Sequence, residues 1–199
     1  MKTFAIAAIA GLAAAASAQD FSLSIVGAPM TVDTTGGSAT FSFDVIGDSS
    51  FGTHMLGGSF AVQSDSALIT SMSWASAEWD GFPTDGGYAG NGNYNAVIFG
   101  QLVIPGLPPF DVPAAGSELG SAIGTFTVEV AADSMGVIDF SLLAQTPFSL
   151  EVLDNAAGTT ANSAQGTLSL NGASVNVIPA PSAMALLGLG GIVAGRRRR

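Results

Sequence analysis

The sequence lacks cysteine, and its only lysine and arginine residues stand at its two ends. The five basic residues are Lys2 and the arginines of residues 196–199, whereas all 15 acidic residues lie between Asp20 and Asp154. Without cysteine, the chain can form neither a disulfide framework nor a thiol site. Without Lys or Arg, the central region must be held together by apolar burial and hydrogen bonds.

The same charge distribution restricts the partners of the chain. Lys and Arg neutralise phosphates when a protein binds nucleic acid, so nucleic acid is excluded as a natural partner. Anionic substrates are disfavoured for the same electrostatic reason, whereas divalent cations and neutral polymers stay open. The acidity is also typical of an exported domain that must remain soluble.

Residues 1–18 have the form of a secretory signal peptide. Lys2 gives a positive start, Phe4–Ala15 is an apolar run, and the last three residues, ending in Ala18, are small enough for a signal peptidase. The alternative is an uncleaved anchor, but the run is shorter than the ~20 residues of a membrane span. We therefore expect cleavage between Ala18 and Gln19.

Residues 178–199 form a second export feature. Pro179 and Pro181 break the preceding strand, and an apolar transmembrane helix is predicted over residues 183–195. At about 1.5 Å per residue this helix reaches roughly 20 Å, which is short of the ~30 Å hydrocarbon core of a bilayer. The terminal cluster favours the cytoplasmic side; it consists of Arg196, Arg197, Arg198 and Arg199.

This arrangement resembles the PEP-CTERM sorting tail of Gram-negative bacteria, with Ala180 in place of the usual central Glu. The resemblance is confined to about the last 22 residues. It implies processing by an exosortase near Pro179, Ala180 and Pro181, and an association with exopolysaccharide or biofilm matrix. It also implies transient anchoring in the membrane by the tail, followed by release to the cell surface or the extracellular matrix.

Residues 19–177 are predicted to form one antiparallel β-sandwich domain. Short segments alternate apolar and polar residues with the period of a strand, whereas a parallel α/β sheet needs continuous apolar runs. About nine or ten strands are expected. The candidate segments are 21–26, 40–45, 56–63, 70–74, 96–104, 125–130, 137–142, 148–153 and 168–177. Within the last of them, Asn171-Gly172 predicts a type I′ hairpin.

A weaker resemblance concerns the same domain. The order of the segment 120–130, the strand 137–142 and the closing hairpin resembles the second half of a cohesin-like jelly-roll sandwich. This resemblance implies a fold only, because a fold does not determine a function. It carries no expectation of dockerin binding.

Residues 74–95 are predicted to form a long glycine-rich loop, and such loops are often functional. The rings in it could stack on sugars, which would make the domain a carbohydrate-binding module. Its carboxylates could instead bind Ca²⁺. A third interpretation packs both tryptophans into the sandwich and leaves a solvated turn. The rings are Trp74, Trp79, Tyr88 and Tyr94, and the carboxylates are Glu78, Asp80 and Asp85.

No other motif identifies an activity. A glycosidase needs two facing carboxylates, and no motif selects a pair among the 15 acids. His54, the only histidine, is expected to face solvent or a strand edge. Ile104–Pro113 is expected to be a stiff connection rather than a polyproline recognition strip. The leading hypothesis is a non-enzymatic exported surface or matrix protein without a cofactor; a carbohydrate-binding module and, less favoured, a secreted hydrolase are the alternatives.

Overall fold

The computed structural model describes residues 19–179, which form an all-β sandwich. The predicted signal peptide, the helix over residues 183–195 and the arginine cluster lie outside the described residues. No helix in the described range is long and apolar enough to cross a membrane.

The described residues contain fourteen strands and one short 3-10 helix, Ser163–Gln165. The strands are β1 (Asp20–Val26), β2 (Thr31–Asp33), β3 (Ala39–Ser49), β4 (His54–Gln63), β5 (Ile69–Ser76), β6 (Thr84–Asp85), β7 (Tyr88–Gly90), β8 (Asn93–Gly100), β9 (Ala122–Val130), β10 (Gly136–Ala144), β11 (Glu151–Asp154), β12 (Thr159–Asn162), β13 (Thr167–Asn171) and β14 (Ala173–Ile178).

The strands form two sheets that face each other. The first sheet has the order β13-β1-β3-β9-β5. The second is built around β4, which pairs with β8 along one edge and with β10 and β11 along the other. Beyond β10 lie β14 and then β2, and the short strands β6 and β7 extend the sheet beyond β8.

The core lies between the two sheets and follows from the alternation seen in the sequence. In β3, for example, Phe41, Phe43 and Val45 are buried while the residues between them face outward. Because each strand contributes every second side chain, the inward faces bury a large apolar area, which is the main stabilising contribution. The clearest alternating segments, 40–45, 70–74, 125–130 and 137–142, all form strands as predicted.

The prediction of a hairpin at Asn171-Gly172 is wrong. β13 pairs in parallel with β1 in the first sheet, whereas β14 pairs antiparallel with β10 in the second. Neither Asn171 nor Gly172 has the positive φ that a type I′ turn requires. The chain therefore crosses between the sheets at this point, because each strand finds its partner in a strand distant in sequence.

Strand direction, strand boundaries and strand number also differ from the prediction. The sandwich is mainly antiparallel but contains two parallel pairs, β1 with β13 and β2 with β14. The predicted strand 96–104 starts three residues earlier and ends at Gly100, and the predicted strand 148–153 begins only at Glu151. Strands β2, β6, β7 and β12 were not predicted, since two to four residues are too few to show an alternation.

Candidate binding face

Residues 74–95 do not form one long loop. They contain the end of β5, all of β6 and β7, and the start of β8. Tyr94 is 4% exposed, and Trp74, Trp79 and Tyr88 are half-buried against the main core. The structure thus places the four rings against the sandwich, as the third interpretation expected for the two tryptophans.

Hydrogen bonds hold these rings in place. Trp79 Nε1 donates to the carbonyl oxygen of Ala122 at 2.9 Å, and the Tyr88 hydroxyl donates to the carbonyl of Ile69 at 2.9 Å. The Tyr94 hydroxyl donates to Asp85 Oδ1 at 2.7 Å. Burial, and then this carboxylate, raise the pKa of Tyr94 far above its usual range. The polar edges of these rings are therefore engaged within the fold.

The three acids of the same segment do not converge on a cation. Asp80 is buried, and its Oδ1 accepts from the backbone N–H of Phe82 and of Gly100 at 3.2 and 2.9 Å. Asp85 accepts from Gly87 N at 2.8 Å, and Glu78 is exposed. In residues 19–179, no group of three or more His, Cys, Asp or Glu side chains is placed to hold a metal ion.

Of the two positions expected for His54, solvent and a strand edge, the structure does not show open solvent and places the residue at the start of β4. The side chain of this first residue of β4 is 16% exposed and lies within a polar cluster. Nδ1 lies 2.9 Å from Thr53 Oγ1 and 3.0 Å from Asn155 Nδ2, while Nε2 lies 3.5 Å from Glu118 Oε1. Asn155 also donates to the carbonyl of Ala114 at 2.9 Å. The cluster therefore fastens the β8–β9 connection to the turn after β11.

The proline-rich segment lies in that connection, as predicted, but it is not an extended strip. Ile104 N donates to the carbonyl of Phe110 at 2.9 Å, and Leu107 N donates to the carbonyl of Ile104 at 3.1 Å. These bonds fold the segment back on itself. A polyproline II helix has no internal hydrogen bonds, so the segment does not adopt that form.

The two sheets differ in the chemistry of their outer faces. The outer face of the first sheet is dominated by hydroxyl and carboxylate side chains, such as Ser42, Asp44 and Thr127. The second sheet instead exposes Ile98 on β8 and Leu143 on β10, which are 48% and 40% exposed. We call the outward surface of β4, β8 and the C-terminal half of β10 the β4–β8 face.

Two hollows open on the β4–β8 face. The first has a volume of ≈ 400 Å³ and is lined by neutral amides and small apolar groups. Its lining includes Gln63, Asn93, Asn95, Gln145, Ala61 and Leu143. Asn93 also donates to Asp65 Oδ1 at 2.9 Å, and this bond lowers the pKa of Asp65. The first hollow is therefore polar but uncharged in its lining.

The second hollow, of ≈ 260 Å³, lies at the other end of the face and is more apolar. Its walls include Ile98, Phe99 and Phe148, and its one ionisable group is Glu151. Gly58 also lines this hollow, and the position requires glycine because a Cβ there would overlap the carbonyl oxygen of Ser149. The face thus combines exposed aliphatic groups, neutral amides and one carboxylate.

Sequence reasoning missed this face, although a signal for it exists. Residues 96–99, Ala-Val-Ile-Phe, form a continuous apolar run in a strand that otherwise alternates. Such a run places an apolar side chain on both faces of a sheet, so Ile98 had to face either a second layer or solvent. Leu142-Leu143 in β10 carries the same signal.

Neither a protein-family model nor a curated protein matches the sequence. Solved structures do resemble the fold. The seventh ScaB type I cohesin from Pseudobacteroides cellulosolvens is 10% identical, with a TM-score of 0.53, and the match covers 82% of this chain and 94% of the cohesin. At this identity the likeness shows a cohesin-like β-sandwich fold and nothing more.

Two other structures align over similar lengths. The cohesin of the Coh-OlpA–Doc918 complex from Clostridium thermocellum is 13% identical, with a TM-score of 0.49, over 80% of this chain and 99% of that one. The cohesin module of a family 33 glycoside hydrolase from Clostridium perfringens is 11% identical, with a TM-score of 0.48, over 82% of this chain and 98% of that one.

Proposed function

We propose that this chain is an exported, non-enzymatic surface or matrix protein whose sandwich binds a protein partner through the β4–β8 face. The observation that carries the proposal is the exposed pair Ile98 and Leu143 between two hollows, on the outer face of a sheet whose core is already complete. An exposed apolar area that is rimmed by polar groups and lies beside surface hollows is typical of an interaction surface. The cohesin-like fold supports a binding role by analogy.

A protein partner fits this face better than a polysaccharide. Sugar rings stack on exposed aromatic faces, whereas the tryptophan and tyrosine rings of the described residues pack inward. The face offers aliphatic side chains ringed by amides, which is the composition of an interface core with a polar rim. The alternative of a carbohydrate-binding module would be supported instead by matrix-glycan binding that is lost in a Trp79→Ala, Tyr88→Ala double variant.

The sorting tail is the second part of the proposal. β14 ends at Ile178, directly before Pro179, so the tail begins where the sandwich is complete. The tail would hold the chain at the membrane with the acidic domain outside and the arginines inside. An exosortase would then process it near Pro179 and Pro181, which delivers the domain to the surface or to an exopolysaccharide matrix.

Position-specific cross-linking tests the binding face. A photo-cross-linking residue at Ile98 is expected to give a protein adduct of defined mass in the producing organism, whereas the same residue at Thr127 on the first sheet gives none. Leu143→Asp, at an exposed position, should abolish the adduct because it adds charge to the interface core. The matched substitution Ser42→Asp should leave it intact. Equal adducts from both sheets, or none from Ile98, would reject the face.

A reporter fusion tests the tail independently of the face. A secreted reporter that carries residues 178–199 is expected to be cut and released only in a host that has an exosortase. The same reporter with Pro179→Ala and Pro181→Ala keeps the apolar segment and the arginines, and it should be cut less. A reporter that stays uncut in the exosortase-positive host would count against sorting by this tail.

A further inference from the structure

Glu151 occupies an unusual position in the second hollow. It is half-buried at the start of β11, beside Gly57 of β4. Burial raises the pKa of its carboxyl, and no hydrogen bond or neighbouring charge within residues 19–179 offsets that effect. Its oxygens are not among the fully buried polar atoms that lack a partner, so they reach the opening of the hollow and can accept hydrogen bonds from a donor that enters it.

The hollow around Glu151 suits an extended amphipathic side chain. Ile98, Phe99 and Phe148 offer apolar walls along its length, and Thr146 adds a hydroxyl at the rim. Its volume of ≈ 260 Å³ is small for a drug-sized ligand, whose pockets span about 300–1,000 Å³. Long basic side chains combine an apolar stem with a charged head, which matches apolar walls that lead to a carboxylate.

The cation must come from outside the domain. Residues 19–179 contain 15 carboxylates and no Lys or Arg, and the only contact between a histidine and an acid among these residues is that of His54 Nε2 with Glu118 Oε1, at 3.5 Å. Within residues 19–179 Glu151 therefore has no cationic partner, and the net negative charge of this domain attracts cations. A divalent metal needs several oxygen ligands, and within the described range 19–179 Glu151 belongs to no group of three or more acidic or other metal-binding side chains, so an organic cation is the better match.

We propose that the second hollow receives an arginine side chain of the protein partner, with its guanidinium bound by Glu151 and its stem against Ile98 and Phe148. This inference rests on the proposed function and names the chemistry that the β4–β8 face recognises. Arginine fits better than lysine, because its guanidinium is less strongly hydrated, binds a carboxylate through two N–H groups and stacks on aromatic rings. Loss of the carboxylate is expected to weaken binding of the group about tenfold or more.

Nuclear magnetic resonance titration of the full chain, held in detergent micelles because of its apolar tail, tests the inference. The probe is N-acetyl-arginine amide, and its neutral isostere N-acetyl-citrulline amide is the control ligand. The arginine probe should shift the Glu151 carboxyl signal and the amide signals of Gly57 and Gly58, and the citrulline probe should not. Glu151→Gln should abolish these shifts, whereas Glu78→Gln, at an exposed acid elsewhere, should keep them.

A thermal melt of Glu151→Gln is the control for folding. If the variant is as stable as the parent chain, a loss of binding cannot be due to unfolding. Burial raises the pKa of Glu151 in the folded state. The ionised carboxylate therefore opposes folding once the pH exceeds 4.5, the ordinary pKa of a glutamate side chain. The Gln variant should therefore melt at or above the temperature of the parent chain at pH 7. The difference in melting temperature between the two proteins should disappear well below pH 4.5, where the Glu151 carboxyl of the parent chain is protonated in the folded and the unfolded state.

Each outcome has a distinct meaning. Equal shifts with both probes, or shifts that survive in Glu151→Gln, would overturn the arginine hollow. Absence of any shift up to the solubility limit of the arginine probe would overturn it as well. Neither result affects the cross-linking test at Ile98. The β4–β8 face can therefore be confirmed as a binding surface even if the arginine hollow is rejected. Loss of the Ile98 adduct with an intact arginine response would reject the face and leave a separate cation-binding hollow.

Discussion

Replacement of Phe126 by alanine is expected to lower the free energy of unfolding by about 3–5 kcal/mol. Phe126 on β9 is fully buried. Its ring centroid lies 4.6 Å from that of Trp74, 5.0 Å from that of Tyr94 and 5.3 Å from that of Phe43. These rings come from both sheets, so the cavity left by the substitution removes contacts on every side and cannot close by a local shift.

Chemical denaturation measures this effect as a fall in the midpoint at a nearly constant m-value. Phe82→Ala is the matched control, because Phe82 is 58% exposed and its truncation should cost little. Similar midpoints for the two variants would contradict the placement of Phe126 at the centre of the core. They would also remove the reason for regarding Trp74 and Tyr94 as structural rings.

Replacement of Gly172 by alanine is expected to destabilise the fold by about 1–3 kcal/mol, since it forces an atom into packed space. A Cβ at Gly172 would overlap the carbonyl oxygen of Phe140 on β10. The backbone there is not left-handed, so the penalty is steric and does not arise from φ. The crowding exists only because the chain passes from β13 to β14 against the edge of β10.

The control for this experiment is Gly37→Ala, since a Cβ at Gly37 meets no atom within 4 Å and the backbone needs no positive φ. Thermal or chemical unfolding of both variants should separate them clearly. A D-alanine at position 172, introduced by semisynthesis, would stabilise a type I′ hairpin, which has positive φ at this residue. Stabilisation by D-alanine would therefore contradict the crossing between the sheets.

Two parts of the structure could not be predicted from the local sequence: the path of the chain at Asn171-Gly172 and the direction of the aromatic rings in residues 74–95. Asn171-Gly172 has a strong local preference for a hairpin, yet β13 and β14 each gain more by pairing with distant strands. The rings of residues 74–95 were compatible with a binding loop and with packing into the sandwich, because aromatic and glycine residues are common in both loops and cores. Their inward direction depends on Phe126 and the other core residues that they meet.

The sequence by itself predicted an all-β central domain, which the structure confirms, and an export and sorting address, which stays a prediction. The period-2 alternation predicts strands because successive side chains of a strand point to opposite faces, and the distribution of charge requires no coordinates. Only the tertiary structure decided which strands are neighbours, where Trp79 and Tyr94 point, and that Glu151, Ile98 and Phe148 surround one hollow. Strand pairing and burial depend on contacts between residues far apart in the chain, and no local pattern encodes them.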